Sequence, residues 1–152
     1  MPKRKFQAPT EQQLSVRRDQ IPDELLTQCP VCQKTCYTQE LTEWQVCPHC
    51  GYGFRLTAWT RVAQLTDDFQ ELDAELTIPE RFADAAYRAK ITQAKAATKL
   101  KESVLTGLAK LEDETVGLGV MDPYFMMGSL GSATGEKITR LFERCTAQKL
   151  PV

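Results

Sequence analysis

The chain has 152 residues, 42% of them hydrophobic and 26% charged, with a formal net charge of −1. That is enough for one modest domain plus a small module, with the composition of an ordinary globular protein. No apolar run approaches the roughly 18 residues of a membrane span, and the basic start Met1–Phe6 leads into no apolar segment, so neither a spanning helix nor a secretory signal is expected. A cytoplasmic, reducing location is the expectation. There, paired cysteines read as metal ligands rather than disulfides.

Residues 1–26 lack a sustained period and are rich in Gln, Arg and Asp. They read as a flexible N-terminal tail with at most a short helical piece. Residues 27–53 contain Cys29-Pro30-Val31-Cys32 and Cys47-Pro48-His49-Cys50, with 14 residues between the pairs. A tetrahedral Zn²⁺ takes four soft donors, and a two-residue gap lets one turn present two thiolates to the same ion. The second pair runs into Gly51 and Gly53, which can take the positive φ such a turn needs. Cys29, Cys32, Cys47 and Cys50 are therefore the expected ligands of one structural zinc. Between the pairs, Cys36-Tyr37-Thr38 and Trp44-Gln45-Val46 have β-forming character and suggest one hairpin that brings the knuckles together. Cys36 is a fifth thiol nearby, but four ligands already complete a tetrahedron, so it reads as a small core residue. His49, the single histidine, is expected to face solvent.

Residues 57–66 predict a helix with Thr57 as N-cap and Ala58, Val62 and Leu65 on one face. The acidic stretch 67–80, ending in Ile78-Pro79, reads as a boundary or surface connection. Residues 84–99 predict a helix with Tyr87, Ile91 and Ala94 on one side and a solvated basic face. Residues 103–111 and 115–121 predict two strands joined at Glu112–Glu114. A loop with Pro123, Gly128 and Gly131 leads to a helix over 133–149, whose Ile138, Leu141, Phe142 and Cys145 fall at i, i+3, i+4 and i+7. Gly128, Ser129 and Gly131 suit either contact with a substrate or a turn that caps this helix. Met126 and Met127 read as packing residues, and so do Trp44 and Trp59.

Charge is spread unevenly. Residues 1–28 hold five basic and four acidic groups, residues 62–84 hold seven acids against Arg81, and residues 85–111 hold six basic groups against Glu102. The ribbon itself is nearly neutral, without the basic footprint usual in nucleic-acid-binding zinc modules. One histidine and no G-x-S-x-G pattern argue against a nucleophilic triad.

The order of ribbon, helix, two strands, Gly-Ser loop and amphipathic helix resembles the β subunit of bacterial acetyl-CoA carboxylase carboxyltransferase. The similarity runs through the ribbon, Arg55-Leu56-Thr57-Ala58, Arg61, Ser103–Gly107 and Leu118–Asp122. It is strongest at Phe125-Met-Met-Gly-Ser-Leu-Gly-Ser132 and Gly135-Glu-Lys-Ile138. The resemblance implies a mixed α/β (α+β) fold, a zinc ribbon followed over residues 54–152 by the N-terminal part of a crotonase-like ββα domain. It implies transfer of a carboxyl group from carboxybiotin, on a biotin carboxyl carrier protein, to acetyl-CoA, giving malonyl-CoA for fatty-acid synthesis. The implied partners are a carboxyltransferase α subunit, in an α2β2 heterotetramer, and biotin carboxylase. Such chemistry needs backbone N–H groups to stabilise an enolate oxygen.

Members of that family continue into a second glycine motif, Ser-Gly-Gly-Ala-Arg, which supplies those amides and which these 152 residues lack. No catalytic residue carries over, and no substrate-binding residue is assigned; only the four zinc ligands transfer. The expectation is an N-terminal piece of a β subunit, from a shortened gene or an excised fragment, inactive by itself. The competing expectation is a non-catalytic zinc-ribbon binding module for nucleic acid or protein, supported by the basic tail residues Lys3, Arg4, Lys5, Arg17 and Arg18.

Overall fold

The computed structural model describes residues 8–19, 25–78 and 84–152. Lys3, Arg4, Lys5 and Pro79 lie outside the described residues. The chain divides into two compact units, parted between Phe54 and Arg55. Among the described residues no helix is long and apolar enough to cross a membrane.

In the first unit, helix α1 covers Glu11–Asp19. Strands β1 (Leu26–Gln28) and β2 (Thr35–Tyr37) pair antiparallel, with Thr27 opposite Cys36. A single bridge, Val46 to Gly53, forms the other paired element. This corrects the expected hairpin between the knuckles. Each cysteine pair is instead the turn of its own small hairpin: Cys29 and Cys32 lie between β1 and β2, and Cys47 and Cys50 between Val46 and Gly53. The reason is local, because a two-residue spacer that aims two thiols at one point already reverses the chain.

In the second unit, helix α2 (Ala58–Leu65) starts at Thr57, whose side chain accepts from the Thr60 N–H. Ala58 and Val62 are buried, whereas Leu65 is exposed. Strand β3 (Asp68–Leu72) lies inside the stretch expected to be a connection. Its acids conceal a two-residue period that carries Phe69 to one face and Leu72 to the other. Helix α3 (Ala85–Thr98) follows, capped by the Asp84 carboxylate on the Tyr87 N–H, with Ala94 buried. Strands β4 (Val104–Leu111) and β5 (Glu114–Met121) pair over their full length across the two-residue turn Glu112–Asp113. Helix α4 (Ser132–Gln148) completes the unit.

The sheet has the order β3-β4-β5, antiparallel throughout. Alternation along its strands sends side chains to two faces. On one face Leu105 packs with Ala58, Val62, Ala94, Leu100 and Phe125, joined by Phe69, Leu118 and Val120. On the other, Leu72 and Leu108 pack with Leu141, Cys145 and Leu150. Gly117 lies under α4 so closely that a Cβ there would collide with the Cys145 sulfur.

The buried stripe of α4 is Ala133, Thr134, Lys137, Leu141 and Cys145. Phe142, expected inside, is 54% exposed. The helix is rotated from its apolar periodicity because polar anchors set its position. Ser103 Oγ lies 2.9 Å from Thr134 Oγ1, and Lys137 Nζ donates to the Val104 carbonyl at 3.1 Å. Burial pushes the Lys137 amine down, opposed by the carboxylates of Glu71, Glu102 and Asp73.

Candidate metal centre

The first unit brings Cys29, Cys32, Cys47 and Cys50 together, with all four sulfurs within 4.8 Å of one another. Cys29 Sγ lies 3.6 Å from Cys50 Sγ, and Cys32 Sγ lies 3.8 Å from Cys47 Sγ. A tetrahedral ion with Zn–S bonds of about 2.3 Å requires sulfurs about 3.8 Å apart. The donor set is four thiols, the softest ligand set a protein offers, so residues and spacing fit a zinc ion.

Two equivalent knuckles build the group. In the first, the Cys29 N–H donates to the Lys34 carbonyl and the Gln33 N–H to the Cys29 carbonyl. In the second, the Cys47 N–H donates to the Tyr52 carbonyl and the Gly51 N–H to the Cys47 carbonyl. The residue after each second cysteine adopts a left-handed conformation: Gln33 at φ 59° and Gly51 at φ 77°. Gln33 is a departure from glycine that the sequence did not flag.

The electrostatics also favour a cation. Burial alone pushes the Cys29 thiol up, but the N–H groups of Cys32 and Val31 and the thiols of Cys50 and Cys32 outweigh it and bring it down to about 7. At Cys50 the Tyr52 N–H pulls the thiol down, while burial and the thiols of Cys29, Cys32 and Cys47 push it up to about 12. One thiol thus ionises near neutrality and another resists, as expected of like groups sharing one small volume. A bound divalent cation reverses that resistance.

The remaining residues singled out in the sequence are not among the clustered thiols. Cys36 is buried and its thiol points at the Thr27 carbonyl, 3.7 Å away. Burial, followed by the neighbouring Cys47 and Glu40, pushes that thiol up. His49 is exposed. Trp44 is half-exposed, against the expectation of a packed ring. Trp59 is also partly exposed, though its ring meets Phe69 edge-on at 6.1 Å. Cys145 is fully buried in the second unit.

The Gly-Ser loop is a tight turn. Met126, Met127 and Gly128 have φ of 48°, 58° and 73°, the Gly128 N–H donates to the Phe125 carbonyl, and Gly131 is the N-cap residue of α4. Ser103 Oγ donates to the Ser129 carbonyl at 2.6 Å, tying the loop to the start of β4. Met126 packs on the core while Met127 is 83% exposed, which halves the expectation for the methionine pair.

One organising residue escaped the sequence reading. Asp122, fully buried, accepts from the Ala58 N–H at 2.7 Å and from the Tyr124 N–H at 2.8 Å. Its own N–H donates to the Ser103 carbonyl. It caps α2 from 64 residues away, a separation that leaves no local signature.

No protein-family model matches the chain. Among curated proteins, it is 68% identical over 152 residues to acetyl-coenzyme A carboxylase carboxyl transferase subunit beta 2 of Lactiplantibacillus plantarum, covering all of this chain and 54% of that relative. It is 51% identical over 148 residues to the subunit beta of Levilactobacillus brevis, covering 97% of this chain and 53% of the relative. It is 57% identical over 136 residues to the subunit beta of Leuconostoc citreum, covering 88% of this chain and 48% of the relative. The chain spans about half the length of the curated relatives it matches. Over its whole length the chain is thus highly similar to part of acetyl-coenzyme A carboxylase carboxyl transferase subunit beta.

Proposed function

We propose that this chain is part of a carboxyl transferase that forms malonyl-CoA, moving a carboxyl group from carboxybiotin on a carrier protein to acetyl-CoA in the cytoplasm. The observation that carries this reading is identity of 68% along the whole chain to a carboxyl transferase β subunit. In this reading Cys29, Cys32, Cys47 and Cys50 hold one structural Zn²⁺, which cross-links the two knuckles. The mixed α/β second unit is then the first part of a crotonase-like domain, and the partners are an α subunit, the biotin carboxyl carrier protein and biotin carboxylase.

The chain's own residues supply order rather than chemistry. The N–H groups of Cys32 and Val31 favour the ionised form of Cys29. Asp122 and Ser103 fix the start of α2 and the Gly-Ser loop against the sheet. No residue of the chain is assigned a catalytic role, because the glycine motif that furnishes the oxyanion amides in this family has no counterpart in these 152 residues. The chain by itself is therefore inactive.

The test is malonyl-CoA formation from carboxybiotin and acetyl-CoA by the zinc-loaded chain mixed with an α subunit. Association with the α subunit and no turnover is the expected result. Turnover would show that these residues suffice. Salt-sensitive binding of RNA, with no α-subunit association, would favour the binding-module reading instead.

A further inference from the structure

The four cysteines of the candidate metal centre are not equally open to solvent. Cys50 is exposed and Cys32 half-buried, whereas Cys29 and Cys47 are 0% and 2% exposed. The close sulfur contacts set one accessible and one buried cysteine together. Cys50 Sγ lies 3.6 Å from Cys29 Sγ, and Cys32 Sγ lies 3.8 Å from Cys47 Sγ. Both contacts cross from one knuckle to the other.

A ligand set with an accessible member is open to chemistry that a fully enclosed one resists. A thiol on a divalent cation is held as the thiolate, which is the form that attacks an oxidant. A thiolate is oxidised only where the oxidant reaches it, and the sulfenic acid it becomes condenses with a thiolate beside it. At Cys50 that neighbour is Cys29, across the knuckles.

We propose that Cys50 is an oxidant-reactive thiol with Cys29 as its resolving partner, so that a hydroperoxide turns the metal centre into a ribbon closed by a Cys29–Cys50 disulfide. In the first step the Cys50 thiolate attacks one oxygen of hydrogen peroxide. The O–O bond breaks, the sulfur is oxidised to sulfenic acid, and hydroxide leaves. In the second step the Cys29 thiolate attacks the Cys50 sulfur. The S–O bond breaks, the S–S bond forms, and a second hydroxide leaves. Two thiolates and one peroxide thus give one disulfide and two hydroxides. Cys32 and Cys47 alone cannot complete a structural tetrahedron, and the site gives up its metal. A second peroxide joins Cys32 to Cys47 by the same steps, with the more accessible Cys32 oxidised first.

The pairing separates oxidation from simple loss of metal. A disulfide between the knuckles ties together the same two turns that the metal held, whereas chelation leaves them untied. Cys36 and Cys145 are buried and outside the four-thiol cluster, so they stay reduced. The proposal rests on the zinc assignment of the reading above and not on carboxyl transfer.

The experiment titrates the full zinc-loaded chain with hydrogen peroxide beside a zinc-responsive dye too weak to strip it. Dimedone, which traps sulfenic acid, is added to a parallel sample, and peptide mass mapping locates every modified cysteine. One zinc is expected to leave per peroxide consumed, in step with a first disulfide that joins Cys29 to Cys50. Dimedone is expected on Cys50 about tenfold more than on any other cysteine. Amide protection in residues 26–53 is expected to persist in the oxidised, zinc-free chain and to vanish in the chelated one. A thiol reductant with added zinc restores the starting state. Every reading is made on the unaltered sequence, so none depends on a variant that folds.

A first disulfide within a knuckle, Cys29–Cys32 or Cys47–Cys50, overturns the proposal. So does dimedone that falls first on any cysteine but Cys50, or zinc that stays bound until the thiols pass to sulfinic acid. Equal loss of protection in the oxidised and chelated chains also overturns it. A chain that takes up no zinc overturns the metal assignment and the proposal together, and does so before peroxide is added. The turnover assay bears on neither result.

Discussion

The two units of this chain are stabilised by different means. Among the described residues of the first, the paired elements are three-residue strands and a single bridge, and the buried apolar residues are Cys29, Cys36 and Cys47. Apolar area of that size cannot offset the entropy of ordering the backbone. A cross-link through the four thiols is what remains. In the second unit, eight-residue strands pair along their length and bury Val104, Leu105, Leu141 and Phe125 between helices. Burying such side chains contributes about 1.5–3 kcal/mol each. On the proposed reading one chain carries a metal-dependent element and, after it in sequence, a unit held by its own core, and their failure modes are expected not to overlap.

The sharpest way to break the comparison is to take the metal away. Stripping zinc with a chelator removes an interaction worth about 10–16 kcal/mol in structural zinc sites, and replacing Cys47 by Ser removes part of it. Amide protection in residues 26–53 is expected to vanish while the melting transition of the second unit stays in place. A single transition that moves as one would contradict the contrast.

Asp122→Ala attacks the second unit instead. It leaves the Ala58 and Tyr124 N–H groups without their charged acceptor, at an expected cost of about 3 kcal/mol. Asn in its place recovers part of the loss. Denaturant unfolding of the second unit reads both values, with zinc retention as the control that must not change.

A smaller effect is expected from Gly117→Ala. The added methyl group meets the Cys145 sulfur and costs about 2 kcal/mol by overpacking. Cys145→Ala in the same chain is expected to restore most of that, which a double-mutant cycle in urea would measure.

The smallest effect falls on the ribbon. Gly51→Ala meets nothing within 4 Å, so only its positive φ is penalised, by about 1 kcal/mol. Gln33→Gly at the equivalent place in the other knuckle should gain a fraction of that. Competition with a chromophoric chelator would register the two changes as opposite shifts in zinc affinity.

What the sequence revealed follows from the range of the forces involved. The cysteine pairs were legible because metal geometry dictates a two-residue spacing. The helices α2, α3 and α4 were legible from local caps and apolar periods. Strand β3 was missed because its acids, Asp68 and Glu71, are as many as its apolar residues, Phe69 and Leu72, and its pairing with β4 is a tertiary fact. The buried face of α4 was set a step off by Phe142, since the burial of Thr134 and Lys137 depends on partners at Ser103 and Val104, about thirty residues upstream. Asp122 was invisible for the same reason. The candidate metal site is local and legible in the sequence; the polar frame that orders the Gly-Ser loop is long-range and is not.

The most direct test of the account is zinc stoichiometry combined with X-ray absorption on the purified chain. The predicted result is one zinc per chain with four sulfur neighbours at about 2.3 Å. A chain that folds its ribbon without zinc, or a metal shell containing nitrogen or oxygen donors in place of one of the four sulfurs, would contradict it.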